Sequence, residues 1–377
     1  MDRHYLDHAS TSPLRPEAAA AIATWLERPA GDPGRVHTEG RAVRVAVETA
    51  REQVAELLSV RPRQVVFTSG ATEAVHAAVW GAVWEHPGAP VACAPVEHSC
   101  VRDASARLAP VVALRVDGLG RIDLHSLDAA LGGGVRPALV HCQWANHEVG
   151  TLQPVPEVVD RARRAGALVH ADAAAACGHI AMPLGDLGAD GPDLVSVSAH
   201  KLGGPPGVGA LVVRRGLRLE PLLVGGQQER GRRAGMENVV GIVGFGAAAA
   251  ALAGSGLAAE AARARRHTDG LVAAATAVGG VVQVGDPDNR VPHIVCIGVE
   301  GVEAEPVLLG LDRAGIAAHS GSACASESLE PSPVLEAMGA DPSHSLRLSV
   351  GWSTGADALA AFAAAFGPVV TELRALR

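Results

Sequence analysis

Apolar residues fall into short continuous runs separated by longer stretches with helical spacing. The runs Val65-Val66-Phe67-Thr68, Pro90–Ala94, Val111–Val116, Ala138–His141, Leu168–Ala171, Asp193–Ser198 and Gly209–Val213 are short and rich in β-branched residues. Each predicts a buried strand. Between them, Thr72–Trp84, Ser99–Leu108 and Val155–Ala165 read as helices, as does the Ala-rich patch at Ala247–Ala251. Strands alternating with helices predict an α/β fold: a mostly parallel sheet covered on both faces.

Near residue 253 the pattern changes. A long Ala/Arg helix is expected over Ala258–Ala275, then strands at Val281–Val284 and His293–Gly298 and a helix over Glu303–Ala314. A Ser/Gly/Ala-rich loop follows at Ser320–Ser328, then a strand at Ser345–Val350 and a closing helix at Ala356–Ala365. This predicts a large domain over 14–253 and a smaller α+β domain from 1–13 and 254–377, with Tyr5-Leu6-Asp7 packed beside the latter. There is no clear repeat, heptad run or low-complexity tail.

Composition narrows the chemistry. The chain has 377 residues, 48% apolar and 19% charged, enough to bury a large core without disulfides. Net charge is -8 and the basic residues are scattered, so no stable nucleic-acid binding is expected. No apolar run is read as a membrane span and the start is no signal peptide, so no membrane association is expected. Six cysteines (Cys93, Cys100, Cys142, Cys177, Cys296, Cys324) are too sparse for a disulfide scaffold or a zinc clip, and no metal site is expected. A reducing, cytoplasmic setting follows. Of the 32 basic residues one is lysine, Lys201, and the other 31 are arginine. Under such a bias a surface lysine becomes arginine at little cost. An amine that does chemistry cannot, because a guanidinium stays protonated.

Five clusters carry candidate chemistry. Ser198-Ala199-His200-Lys201 closes a strand before Gly203-Gly204-Pro205-Pro206-Gly207. An amine at a strand end can form a Schiff base with an aldehyde, and the flanking hydroxyl and imidazole suit a phosphate. Asp172, at the end of His170-Ala171-Asp172, can pair with a cationic ring nitrogen of the kind pyridoxal phosphate carries, or cap a helix. Ser69-Gly70-Ala71-Thr72-Glu73 makes either a phosphate cup at a helix N-terminus or an ordinary cap with Glu73 in the first turn. Cys324, in Ser320-Gly321-Ser322-Ala323-Cys324-Ala325-Ser326-Glu327-Ser328, suits a thiol that travels and attacks; a spectator thiol fits too. Arg347, between apolar neighbours in a strand, offers a fork for a substrate carboxylate, or a structural ion pair.

Taken together, these motifs resemble the cysteine desulfurases, pyridoxal 5'-phosphate enzymes of fold type I in the class V aminotransferase group. The resemblance runs from Tyr5-Leu6-Asp7 through Phe67–Glu73, Glu97-His98, Glu148-Val149-Gly150, His170–Asp172, Ser198–Lys201 and Gln228-Glu229-Arg230-Gly231 to Gly321–Cys324 and Arg347. The long serine-rich stretch around Cys324 is similar to that of the nitrogen-fixation and iron–sulfur housekeeping enzymes. The resemblance implies that Lys201 holds the cofactor aldehyde, Asp172 holds the pyridine nitrogen, and His98 stacks on the ring and shuttles protons. Ala71, Thr72, Ser198 and His200 would bind phosphate. Arg347 would clamp the carboxylate of L-cysteine. Cys324 would take the sulfur as a persulfide, leaving alanine, and pass it to a sulfur-acceptor protein. A homodimer is implied, with Gln227–Met236 as a contact segment. The sulfur outlet stays open among iron–sulfur assembly, tRNA thiolation and DNA phosphorothioation. Another class V enzyme, a C–S lyase or epimerase, is the alternative.

Four positions depart from the family pattern. Ala175 stands for a glutamine that touches the cofactor's phenolic oxygen, and His147 for an asparagine. Met236 stands for a threonine offered to the partner's phosphate, and His293 for an asparagine. His147 is the candidate to take over the phenolic contact, and weaker cofactor retention is expected.

Overall fold

The computed structural model describes residues 3–28, 31–182, 184, 191–320 and 331–376. Strand β1 (His4–Tyr5) opens the chain, and the helices α1 (Pro16–Leu26) and α2 (Thr38–Leu57) follow. Next come β2 (Val65–Thr68), α3 (Ala71–Trp84), β3 (Val91–Cys93), α4 (Ser99–Leu108), β4 (Val111–Ala113) and α5 (Leu124–Leu131). The large unit closes with β5 (Leu139–His141), α6 (Val155–Ala165), β6 (Leu168–Asp172), β7 (Leu194–Ser198), β8 (Gly209–Val213) and α7 (Val239–Ala250).

These strands form one seven-stranded sheet in the order β2-β8-β7-β6-β5-β3-β4. From β7 to β4 all pairings are parallel, whereas β8 runs antiparallel to both β7 and β2. The expected sheet is therefore present with one reversed strand, which leaves β2 pointing the same way as the parallel set. Side chains alternate across it. Val65, Phe67, Val195, Val197, Ala210 and Val212 pack with Val47, Val54 and Phe245 of α2 and α7. Val66, Leu194, Leu211 and Val213 pack with Val75, Ala78 and Val101 of α3 and α4. Both faces are thus dry, which explains why these strands read as unbroken apolar runs.

After α8 (Gly256–Thr276) a four-stranded antiparallel sheet forms from β9 (Val281–Val284), β10 (Ile294–Val299), β12 (His319–Ser320) and β13 (Ser345–Ser349), in the order β12-β13-β10-β9. Helix α9 (Ala304–Arg313) leads to β11 (Ile316–Ala317), which pairs in parallel with β1. This draws Leu6 into a second core with Leu271, Ile297, Val307, Leu346 and Phe362. Helix α10 (Pro333–Ala337) packs Val334 and Leu335 against the large unit.

Two expectations change. The final helix, α11 (Ala356–Ala375), is twice the expected length and, by length and composition alone, is long and apolar enough to cross a membrane. Here it lays Phe362, Phe366 and Val370 into the second core and carries Asp357, Glu372 and Arg374. Strand β4 stops at Ala113, three residues early, because Leu114 turns into the core under α5 while Val111 stays 43% exposed on the sheet edge.

Candidate active site

The parallel arrangement brings the C-terminal ends of β2, β3, β5, β6 and β7 to one edge of the sheet, where ligands of open α/β folds gather. The loops leaving those ends carry Ala71 and Thr72, His98, His147, Asp172, and Ser198 with His200 and Lys201. All of them line one cavity of about 580 Å³, together with Arg347 from β13. Cys324 lies outside the described residues.

At one end of the cavity is the start of α3. Its first amides have no partner within the helix by position and concentrate positive potential there. Glu73 Oε2 accepts from the Ser69 amide at 2.8 Å and is gripped by Arg233, 2.9 Å from Oε1. That bond and the guanidinium hold the Glu73 carboxyl below its ordinary range, against the upward push of burial. Glu73 thus secures the cap, and Ala71 and Thr72 line the cavity. Gly209 permits the geometry. A Cβ there would stand 2.6 Å from the Val197 carbonyl and 2.7 Å from the Gly70 backbone.

Lys201 sits in a 3-10 turn, Ala199–Leu202, that follows β7. Beside it His200 Nδ1 lies 3.1 Å from Thr11 Oγ1, and burial followed by the Lys201 charge lowers its pKa to about 4. On the adjacent strand Asp172 is 8% exposed, and its Oδ1 accepts from the Ala174 amide at 3.1 Å and from Ser196 Oγ at 2.8 Å. These bonds fix the carboxylate in one orientation at the strand end.

His98 caps α4, its Nδ1 accepting from the Cys100 amide at 3.2 Å. A neutral ring with Nδ1 as acceptor carries its proton on Nε2. The His147 ring stands edge-on to it, 4.9 Å between centroids, and His147 Nε2 is 3.5 Å from Glu148 Oε1. Behind them Glu97 is fully buried, and desolvation raises its pKa to about 8.

Arg347 forms the structural ion pair and also lines the cavity. Its side chain is 1% exposed and paired with Asp7 at 2.9 Å, with Ser10 Oγ at 2.6 Å and the His147 carbonyl at 2.9 Å. Its Nε has no hydrogen-bond partner among the described residues. The four departures divide. His147 lines the cavity. Ala175 is buried in the core under α7, Met236 is 62% exposed, and His293 is buried outside the cavity wall.

Ser10, Cys100 and His319 also line the cavity and were not anticipated. Ser10 and His319 arrive by long-range pairing: β12 places His319 directly opposite Arg347. Only Cys100 left a local signal, two residues after His98 at a helix start.

The aminotransferase class V family pattern matches residues 4–362. A cysteine desulfurase of Cereibacter sphaeroides is 39% identical over the whole of this chain and 98% of its own length. A solved structure named NifS-like protein superposes with a TM-score of 0.89 at 28% identity, covering 98% of this chain and all of the other. Another, titled SspA in complex with cysteine, gives 0.80 at 26% identity over 92% of this chain and 99% of its own.

Proposed function

Because the chain belongs to the class V aminotransferase family and is a cysteine desulfurase, we propose that it works on L-cysteine with pyridoxal 5'-phosphate anchored on Lys201, and that Cys324 receives the sulfur. The observation carrying this reading is the convergence of one amine, one strand-end carboxylate and one helix N-terminus on a single cavity. These residues fit the cofactor: Lys201 suits its aldehyde, the fixed Asp172 carboxylate its protonated ring nitrogen, and the start of α3 with Ser198 and His200 its phosphate. Bound there, the cofactor supplies an electron sink that weakens bonds around the substrate α-carbon.

The chain's own residues do the rest. Asp172 keeps the ring nitrogen protonated. His98 walls the ring and carries protons on Nε2. Arg347 receives the substrate carboxylate where it lines the cavity beside Ser10. The Lys201 amine moves the proton at the α-carbon. The Cys324 thiolate attacks the substrate sulfur: a new S–S bond forms as the Cβ–S bond breaks, its electron pair stays on carbon, and protonation there yields alanine. The persulfide then passes to an acceptor protein. A homodimer with Gln227–Met236 at its interface and a cytoplasmic setting belong to the same reading, as does the division into 14–253 and 1–13 with 254–377.

Incubation with L-cysteine followed by peptide mass spectrometry should show one added sulfur on Cys324, with alanine released. A Cys324→Ala variant making alanine and sulfur at the full rate would defeat the persulfide route and favour a lyase of the same family.

A further inference from the structure

The turn that carries Lys201 is held by its carbonyls. The Ala199 carbonyl accepts from the Gly204 amide at 2.9 Å, and the His200 carbonyl from the Ser12 amide at 2.9 Å. Arg15 secures the next two positions, with Nε on the Leu202 carbonyl and its amide on that of Gly203, both at 2.8 Å. The carbonyl of Lys201 itself lies 3.1 Å from His179 Nε2. A carbonyl can only accept, so that nitrogen bears the proton.

His179 is built into place. Its amide donates to the Ala176 carbonyl at 3.0 Å. Gly178 before it adopts φ +79°, and a Cβ there would fall 2.5 Å from Leu202 Cβ, so the two turns touch backbone to side chain. On the His179 ring lies His293, parallel to within 10° and 3.5 Å away between centroids. His293 is 1% exposed, directly precedes β10, and its Nδ1 has no hydrogen-bond partner among the described residues.

We propose that His179 is a positioning residue for the cofactor-anchoring lysine, its ring clamped by His293 so that one imidazole N–H caps the Lys201 carbonyl. This deepens the cofactor reading above and rests on it. The pair ties the turn that follows β6 to the residue that precedes β10. The groups facing the stack are His8, Arg15, Lys201 and Arg347, with Asp7 beside His8. Burial chiefly, with the Arg15 and Lys201 charges adding to it, keeps both rings neutral: His179 is lowered to about 4, and His293 is lowered well below 6.5. A neutral His179 has a single N–H, and the Lys201 carbonyl takes it. A phenyl ring would preserve the stack and abandon the carbonyl.

The test compares His179→Phe, His179→Gln and His293→Phe with the parent. The readouts are the equilibrium constant for pyridoxal phosphate, the pH titration of its visible absorption, and thermal unfolding of the cofactor-free forms. His179→Phe should weaken cofactor binding about tenfold, the size expected of one buried hydrogen bond, and displace the spectral titration. His179→Gln, which keeps a donor, and His293→Phe, which keeps the stack, should stay within about threefold of the parent. Parent-like binding and titration in His179→Phe, or equal loss in His179→Gln, would overturn the proposal. If His179→Phe does not fold, His179→Met takes its place under the same criteria. A parent that binds no cofactor would defeat the cavity reading and this proposal with it; a parent that binds while His179→Phe matches it defeats this proposal alone.

Discussion

Arg347 shows how much one side chain is asked to hold. Its guanidinium is buried, so its charge needs a partner when no substrate is present, and Asp7 supplies one. The planar fork lets it keep Asp7, Ser10 and the His147 carbonyl together while Nε remains unassigned. Lysine, a compact point charge on a flexible stem, cannot reproduce that planar fork. Arg347→Lys should therefore raise KM for L-cysteine about 10- to 100-fold, the cost of one charged hydrogen bond, which steady-state kinetics reads directly. At this scale the sequence was legible where a residue type was scarce or its neighbours were unusual: the single Lys201, Asp172 at a strand end, Arg347 amid apolar residues. It was not legible where sheet pairing decides the neighbour. Nothing near His319 in the chain shows that it faces Arg347, and nothing near Ala175 shows that it turns into the core.

Among the elements, Gly209 matters as much as any catalytic side chain. It begins β8, the reversed strand, at the point where β8 meets both Ser198 of β7 and Thr68 of β2. A methyl there meets backbone on two sides, the Val197 carbonyl and the Gly70 turn, and neither can swing away. Gly209→Ala should destabilise the protein by about 1–3 kcal/mol and displace the start of α3. Equilibrium unfolding checks the first, and a drop in affinity for cofactor phosphate larger than that for pyridoxal itself checks the second. The central strands were predicted to within a residue because burial on both faces leaves no polar alternation to confuse the reading. Helices α1, α2 and α5 were not anticipated. In α2 the charged residues Glu39, Arg41, Arg44, Glu48 and Arg51 interrupt the apolar series, yet Val43, Val47, Ala50 and Val54 still form one buried face. Arg51 even points inward, to a bidentate pair with Glu229 at 2.7 and 2.8 Å. That pair anchors a strained segment in which Glu229 (φ 48°) and Arg230 (φ 60°) are left-handed, which no local pattern reveals.

For the whole molecule, buried titratable groups set a pH profile. His8, His170, His179 and His200 are lowered, chiefly by burial, from 6.5 to about 4. The unfolded chain takes up protons below pH 6.5 that these rings refuse, so stability falls as the pH drops from 6.5 toward 4. Glu97 acts in the opposite sense. Raised from 4.5 to about 8, it stays protonated when folded, and its contribution declines as pH rises through that window. The lowered histidines outweigh one carboxyl below 6.5, and above it the declining Glu97 contribution sets the slope. The cofactor-free protein should thus be most stable near pH 6.5, with a steep acid limb and a shallow alkaline one; thermal unfolding across pH 4–9 measures this, and a maximum below pH 5 would contradict it.

The cavity has meaning only if the amine at position 201 bonds an aldehyde. Borohydride reduction of the protein with pyridoxal phosphate, followed by peptide mapping, tests this most directly, since the chain has no other lysine. The phosphopyridoxyl group should be found on Lys201 in near-stoichiometric amount. No label, or label only on the N-terminal amine, would contradict the account.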